Sequence, residues 1–312
     1  MIEPVMGPRI GIVGMGWVGS SVAISTLHAG FVSELLLHDA KEGLAEGEAL
    51  DLAQGVSFYP PARVRAAAIE EMRELDAVVI AAGRGGRPGQ SRLDLLQDNV
   101  GMVREIASRL AGLRGLLVMV TNPVDVLTQV AAEASGLPPE RVIGTGTMLD
   151  TARLRQVLGR TLSLEPRSIH AQVVGEHGDS EVVLWSSAHI GGAPLRAWKG
   201  WTPEHERDAG VEVRDAAQAI IRRKGATNHA IGLVTANLLR WALRGDRRVL
   251  TVSRVQSGGC GIDGVALSLP AVVGKDGATE VLEPSMDAIE REGLEASAET
   301  LRRAYEAATR HR

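Results

Sequence analysis

An α/β protein is predicted, with a doubly wound parallel sheet over residues 1–145 followed by a mixed α+β domain over residues 146–312. Three observations predict it. Short aliphatic runs alternate with helix-period stretches through the first half, the rhythm changes after Gly144-Thr145-Gly146, and a length of 312 residues suits two domains of roughly 150 residues each. The runs at 9–13, 35–38, 77–82 and 116–120 are continuous rather than alternating, as strands covered on both faces require. Beyond residue 146 a helix is expected near 148–158, strands around 169–174 and 249–255, and longer helices between them. Thr202-Pro203 followed by acidic residues reads as an N-cap with proline in the first turn, opening a helix towards Arg223. The tail over 284–310 is expected to be helical, packing Ile289, Leu294, Ala298, Leu301 and Tyr305 on one side. No repeat, low-complexity tract or flexible linker interrupts the chain, so the halves are expected to share an interface.

Composition narrows the function classes. Hydrophobic residues at 45% and charged residues at 23% are ordinary globular proportions, which excludes a disordered or fibrous chain despite 36 glycines. A net charge of −4 gives no basic footprint for a polyanion, and five Trp, two Tyr and two Phe offer little stacking surface for bases, so nucleic acid is not an expected partner. The longest apolar runs, 77–82 and 116–120, fall far short of the ~18–20 residues that span a bilayer. The first residues lack a basic n-region and an apolar h-region, so no membrane association and a cytoplasmic location are expected. Cys260 alone forms neither an intrachain disulfide nor a cysteine-rich metal site, and no metal is expected.

The first chemical motif is Gly14-Met15-Gly16-Trp17-Val18-Gly19, directly after the strand at 9–13 and opening a helix. Gly14 allows the tight turn, Gly16 lets backbone approach a pyrophosphate, and Gly19 lets helix and strand pack closely, with phosphates at the helix N-terminus. The second strand ends at Asp39, 20 residues beyond Gly19, where a carboxylate binds the ribose hydroxyls. Together these make the first domain Rossmann-type. Asp39 would repel a 2′-phosphate, so NAD is favoured over NADP, while Lys41 nearby keeps the second open.

In the second half, Gly175-Glu176-His177-Gly178-Asp179-Ser180 places a histidine in a glycine-flanked turn after an apolar strand. Asp150 and Arg153, three residues apart on an expected helix, project from nearly the same face. Taken with Thr121-Asn122-Pro123-Val124-Asp125, Arg92 in a glycine-rich loop, the fingerprint, LDTAR, GEHGDSE and ALSLP, the chain resembles the L-lactate/malate dehydrogenase family along almost its full length. Within the family, VGEHGDSEVVLWSS is most similar to the bacterial L-lactate enzymes.

The resemblance implies a hydride transfer between NADH and a small 2-oxo acid, with His177, Asp150 and Arg92 as the catalytic set. His177 would donate a proton to the substrate oxygen or accept it in reverse, and Asp150 would fix its tautomer. Arg153 would fork onto the substrate carboxylate, Arg92 would polarise the carbonyl from a loop able to close, and Asn122 would hold the substrate oxygen and the nicotinamide edge. Gly14, Gly16, Val18, Gly19, Asp39, Gly83 and Asn122 are the implied cofactor residues, and Thr227 lines the implied substrate pocket. Each also has a blander reading: a histidine satisfying loop carbonyls, an aspartate capping its helix, arginines in solvated surface pairs.

Substrate choice is less defined. Counting back from Arg92 puts Gly86 at the position where lactate enzymes carry glutamine and malate enzymes arginine, so this chain departs from both patterns. Lys224-Gly225-Ala226-Thr227 resembles the lactate branch, which favours pyruvate-type monocarboxylates, with room beside Gly86 for bulkier 2-oxo acids. Arg84 or Arg87 could still serve a second carboxylate, so malate dehydrogenase is the nearest rival. Arg155 and His170 match the family positions that bind fructose 1,6-bisphosphate, and a homotetramer is implied by the same resemblance. A noncatalytic nucleotide-binding protein and an NAD-dependent glycosidase share the architecture; the first gives no reason for Arg92, Asp150, Arg153 and His177 together, and the second needs a cysteine–histidine metal site.

Overall fold

In a computed structural model of the chain, residues 7–84 and 92–310 are described, residues 42 and 92 by their backbone alone. Six strands form a parallel sheet: β1 (Arg9–Val13), β2 (Glu34–His38), β3 (Arg63–Ala66), β4 (Ala77–Ile80), β5 (Leu116–Met119) and β6 (Val142–Gly144). Their spatial order, β3-β2-β1-β4-β5-β6, reverses direction between β1 and β4, the doubly wound arrangement that the aliphatic rhythm predicts.

Alternation along the strands explains why both faces are covered. Ile10, Ile12, Leu35, Leu37, Val79 and Val118 point to one face, against α1 (Trp17–Ala29) and α2 (Glu42–Gln54). Val13, Leu36, Val78, Ile80 and Leu117 point to the other, against α3 (Arg92–Arg109) and α4 (Val124–Ser135). The second half supplies α5 (Met148–Leu162), short strands β7 (Ile169–His170), β8 (Val173–Val174), β9 (Val182–Val183), β10 (His189–Ile190) and β11 (Ala193–Pro194), then α6 (Pro203–Lys224) and α7 (His229–Arg244). Two long strands, β12 (Arg248–Ser257) and β13 (Asp263–Gly274), and the short β14 (Gly277–Val281) follow, and α8 (Ala288–Thr309) is the last helix described.

Three sequence expectations are modified. The change of rhythm near residue 145 is not an end of the sheet: β12 pairs antiparallel with β6 through Ser253 and Gly144, and β13 and β14 extend the same sheet to nine strands. The single strand expected over 169–174 is two strands in different sheets, since β7 pairs with β10 and β8 with β9. Ile289 does not pack inward. It lies in the first turn of α8, after the Asp287 N-cap, and is 81% exposed, while Leu294, Ala298 and Leu301 form the buried stripe. The capped helix at Thr202-Pro203 runs over Pro203–Lys224 as the sequence indicates.

The halves also meet where α7 lies on α1. A β-carbon at Gly232 would stand 2.6 Å from the Ser21 carbonyl oxygen, a backbone atom that cannot swing aside. Gly232→Ala is expected to lose about 1–3 kcal/mol of stability through overpacking, despite alanine's better helix propensity, lowering the thermal midpoint by a few degrees. An alanine variant that melts at or above the wild-type temperature would show that this contact is slack.

Candidate active site

The turn after β1 is shaped by two glycines. Gly14 takes a left-handed φ of +97°, and a β-carbon there would lie 2.3 Å from the Ala82 nitrogen. At Gly19 it would fall 1.8 Å from the Gly14 carbonyl oxygen, so only glycine lets α1 sit on the turn. Gly16, the N-cap of α1, has no heavy atom within 4 Å of where its β-carbon would be, leaving backbone open to a ligand at the positive end of the helix. Asp39 closes β2, its Oδ2 accepting from the Met15 N–H at 2.8 Å and its Oδ1 from the Lys41 N–H at 2.9 Å.

A cleft of about 780 Å³ lies along these segments, lined by Gly14, Gly16, Asp39, Gly83 and Arg84 among others. A carboxylate to accept from ribose hydroxyls, and open glycine backbone at a helix N-terminus to donate to phosphate, are what a dinucleotide needs, so the residues present fit NAD. Val18 and Gly19 do not line this cleft: the Val18 side chain packs half-buried against the core. Thr121 ties the crest together, donating to the Ala82 carbonyl at 2.6 Å, and the exposed Asn122 follows through a cis peptide bond to Pro123, without a hydrogen-bond partner among the described residues.

The second cluster is built by four elements. Asp150 in the first turn of α5 is buried, its side chain 3% exposed, and accepts two hydrogen bonds from charged partners. Arg153, one turn on, donates from Nη1 to Asp150 Oδ1 at 2.7 Å, and Asp150 Oδ2 meets His177 Nδ1 at 2.5 Å. With Nδ1 committed to the carboxylate, Nε2 is the ring nitrogen free for another partner. The turn bearing His177 is itself tied down: its N–H donates to Asp125 Oδ2 of α4 at 2.8 Å, Glu176 N–H to Ser297 Oγ of α8 at 2.8 Å, and Gly175 and Ser268 of β13 exchange backbone hydrogen bonds.

Electrostatics follow from burial and pairing. Desolvation opposes a charged imidazole, but the Asp150 hydrogen bond and charge outweigh it and hold His177 above its ordinary value. Desolvation likewise opposes the Asp150 carboxylate, and the His177 and Arg153 contacts overcome it, so its pKa is lowered. Asp125, wholly buried, is pushed up to about 6 by desolvation, against the pull of Ser253 and His177. Asp125 lies within a motif of the sequence but has no role there; its signal is an acid in the first turn of a helix whose residues are almost all buried.

Among the remaining candidates, Thr227 is half-buried in the connection between α6 and α7 and lines neither cluster. The Arg84 guanidinium lies 3.7 Å from Asp98. Gly86 and Arg87 lie outside the described residues, as does the Arg92 side chain. Arg155 and His170 do come together in a separate cavity of about 240 Å³, with Ser187 and His189. Arg155 donates from Nε to the Ala171 carbonyl at 3.1 Å, and the His170 ring stacks on His189 with centroids 4.8 Å apart. Among the described residues no cluster of three His, Cys, Asp or Glu side chains could hold a metal ion, and no helix is long and apolar enough to cross a membrane.

Known proteins are similar to this chain along both of its halves. Residues 8–144 match the lactate/malate dehydrogenase NAD binding domain, and residues 147–311 match the lactate/malate dehydrogenase alpha/beta C-terminal domain. The L-lactate dehydrogenase of Synechococcus sp. (strain JA-3-3Ab) is 42% identical over 294 residues, 93% of this chain and 96% of that protein. The L-lactate dehydrogenase of Geobacillus kaustophilus (strain HTA426) is 42% identical over 303 residues, 95% of this chain and 96% of its own. The crystal structure of a minor L-lactate dehydrogenase from Enterococcus mundtii superposes with a TM-score of 0.93 at 35% identity, covering 96% of this chain and 98% of the other. On this footing of sequence and fold, the chain belongs to the lactate/malate dehydrogenase family.

Proposed function

We propose that the protein interconverts pyruvate and L-lactate with NAD as cofactor, and that His177 is the group that moves the proton. The single observation that carries the role is His177 held between a buried carboxylate on Nδ1 and an uncommitted Nε2, with Arg153 beside it. Gly14, Gly16, Asp39 and Gly83 would hold NAD, whose nicotinamide supplies or receives the hydride at the substrate carbon. In the reducing direction the His177 imidazolium donates its Nε2 proton to the carbonyl oxygen as negative charge develops there, and Asp150 stabilises the charged ring beforehand. In the oxidising direction the neutral ring takes the hydroxyl proton. Arg153 has donors beyond the Nη1 bound to Asp150, which suit it to clamp the substrate carboxylate. Arg92 is proposed to polarise the carbonyl and Asn122 to steady the oxygen.

The same reading divides the chain into a nucleotide-binding domain, residues 1–145, and a substrate domain, residues 146–312. It also carries a homotetramer, supported by large apolar side chains left exposed, including Phe58 at 85% and Leu50 at 66%. An anion effector at Arg155 and His170 is supported by the Arg155 guanidinium sharing one cavity with the His170 ring, which burial and the neighbouring His189 and Arg155 charges hold below its ordinary value.

Replacing His177 by Asn should lower turnover by about 10²-fold or more in both directions, the usual contribution of a positioned acid/base group. Because the ring is held above its ordinary value, pyruvate reduction should persist above pH ~6.5 and fall as the imidazolium loses its proton, while lactate oxidation rises over the same range. Initial rates against pH check both, and full activity in the Asn variant would sink the assignment. Substrate class is read by comparing kcat/KM. Pyruvate should exceed oxaloacetate by at least about tenfold, since Gly86 offers no side chain to pair a second carboxylate, and 2-oxobutyrate and phenylpyruvate should also react if Gly86 leaves room. Comparable rates on oxaloacetate would favour the malate reading. Fructose 1,6-bisphosphate should lower the KM for pyruvate by roughly fivefold or more, and Arg155→Ala should remove the effect; a flat titration would dismiss regulation at this cavity.

A further inference from the structure

Glu181 ends the turn that carries His177 and leads into β9, and nothing in the reaction as derived uses it. It is 7% exposed, its N–H donates to the Gly178 carbonyl, and its Oε1 has no hydrogen-bond partner among the described residues. The charges acting on it come from Asp150 and Arg153 of α5, His177 of its own turn and Arg214 of α6. Of the other acids of the neighbourhood, Glu176 accepts from Ser180, Glu290 of α8 from Ser186, and Asp125 of α4 from the His177 N–H. Arg214 is exposed, so solvent screens its charge.

We propose that the Glu181 carboxyl is a third ionisable member of the His177–Asp150 site, a positioning residue that sets the net charge presented to the substrate carboxylate. This rests on the reading of His177 as the proton-transfer group. Burial, reinforced by the Asp150 charge, pushes the Glu181 carboxyl up to about 8, so it is uncharged at neutral pH. Imidazolium and guanidinium then balance the Asp150 and Asp125 carboxylates, so the site carries no net negative charge when the substrate carboxylate arrives. Ionisation of Glu181 turns the site net negative where it is too buried for water to compensate. The His177 ring is itself held above its ordinary value, so the loss in anion binding is distinct from, and adds to, the loss of proton transfer as His177 deprotonates.

The test is the alkaline limb of kcat/KM for pyruvate reduction, measured from pH ~6.5 to ~9.5 with saturating NADH and normalised to each protein's own maximum. In the wild type two ionisations, Glu181 and His177, should each remove activity, so the logarithmic slope approaches about −2. Glu181→Gln removes one of them, and the slope should stop at about −1, with roughly tenfold more of the variant's own maximum retained at pH ~9. Glu181→Leu, of similar volume and unable to ionise, gives the same readout if the amide is poorly tolerated. A merely structural role for Glu181 would lower the curve at every pH without changing its shape. Superimposable normalised curves, or a wild-type slope limited to about −1, would overturn the proposal. His177→Asn separates the two layers: retained turnover there defeats the reading of the site itself, whereas loss of turnover with superimposable Glu181 curves defeats only this inference.

Discussion

A carboxylate removed from water must be met by donors or give up its charge, and Asp150 is met on both oxygens. That requirement organises the second half of the molecule. Arg153 satisfies it within α5, one helical turn away, and needs only the local fold. His177 satisfies it from 27 residues further along, which obliges the turn after β8 to lie against the start of α5. The bonds that hold that turn, from Asp125, Ser268 and Ser297, come from three further elements. Imidazole position is therefore a product of the whole tertiary arrangement rather than of one motif.

The nucleotide cleft obeys a different constraint, close approach of backbone. Where the strand order reverses between β1 and β4, the chain leaves a crevice, and glycines at 14 and 19 exist because neighbouring main-chain atoms already occupy the space of a β-carbon. Gly16 has the opposite reason: its surroundings are open, so bareness there serves a ligand rather than packing. One motif thus contains two kinds of glycine, and only the environment tells them apart.

Much of this was legible in the sequence, for identifiable reasons. Continuous aliphatic runs located the parallel strands because both sheet faces are covered, and the fingerprint located the cleft because its spacing is dictated by a strand, a turn and a helix in succession. Asp150 and Arg153 were readable as a pair because helical spacing alone brings them together. Asp125 and Glu181 were not, since what matters in them is burial beside residues remote in sequence, which periodicity does not report. The exposed Ile289 shows the converse: a helical stripe gives a face but not the point at which the helix begins, and here the Asp287 cap turns that residue outward. Extension of the sheet by β12, β13 and β14 was hidden because it depends on a pairing between residues more than 100 positions apart, Gly144 and Ser253.

That pairing has a consequence for any attempt to dissect the molecule. A fragment cut near residue 145 would leave β6, whose three residues are all buried in the intact chain, as a bare apolar sheet margin with unsatisfied amides and carbonyls. Such a margin recruits other strands, so the excised piece would self-associate rather than persist as an independent nucleotide-binding unit. The antiparallel strands of the later half thus act as a seal on the sheet margin of the earlier one.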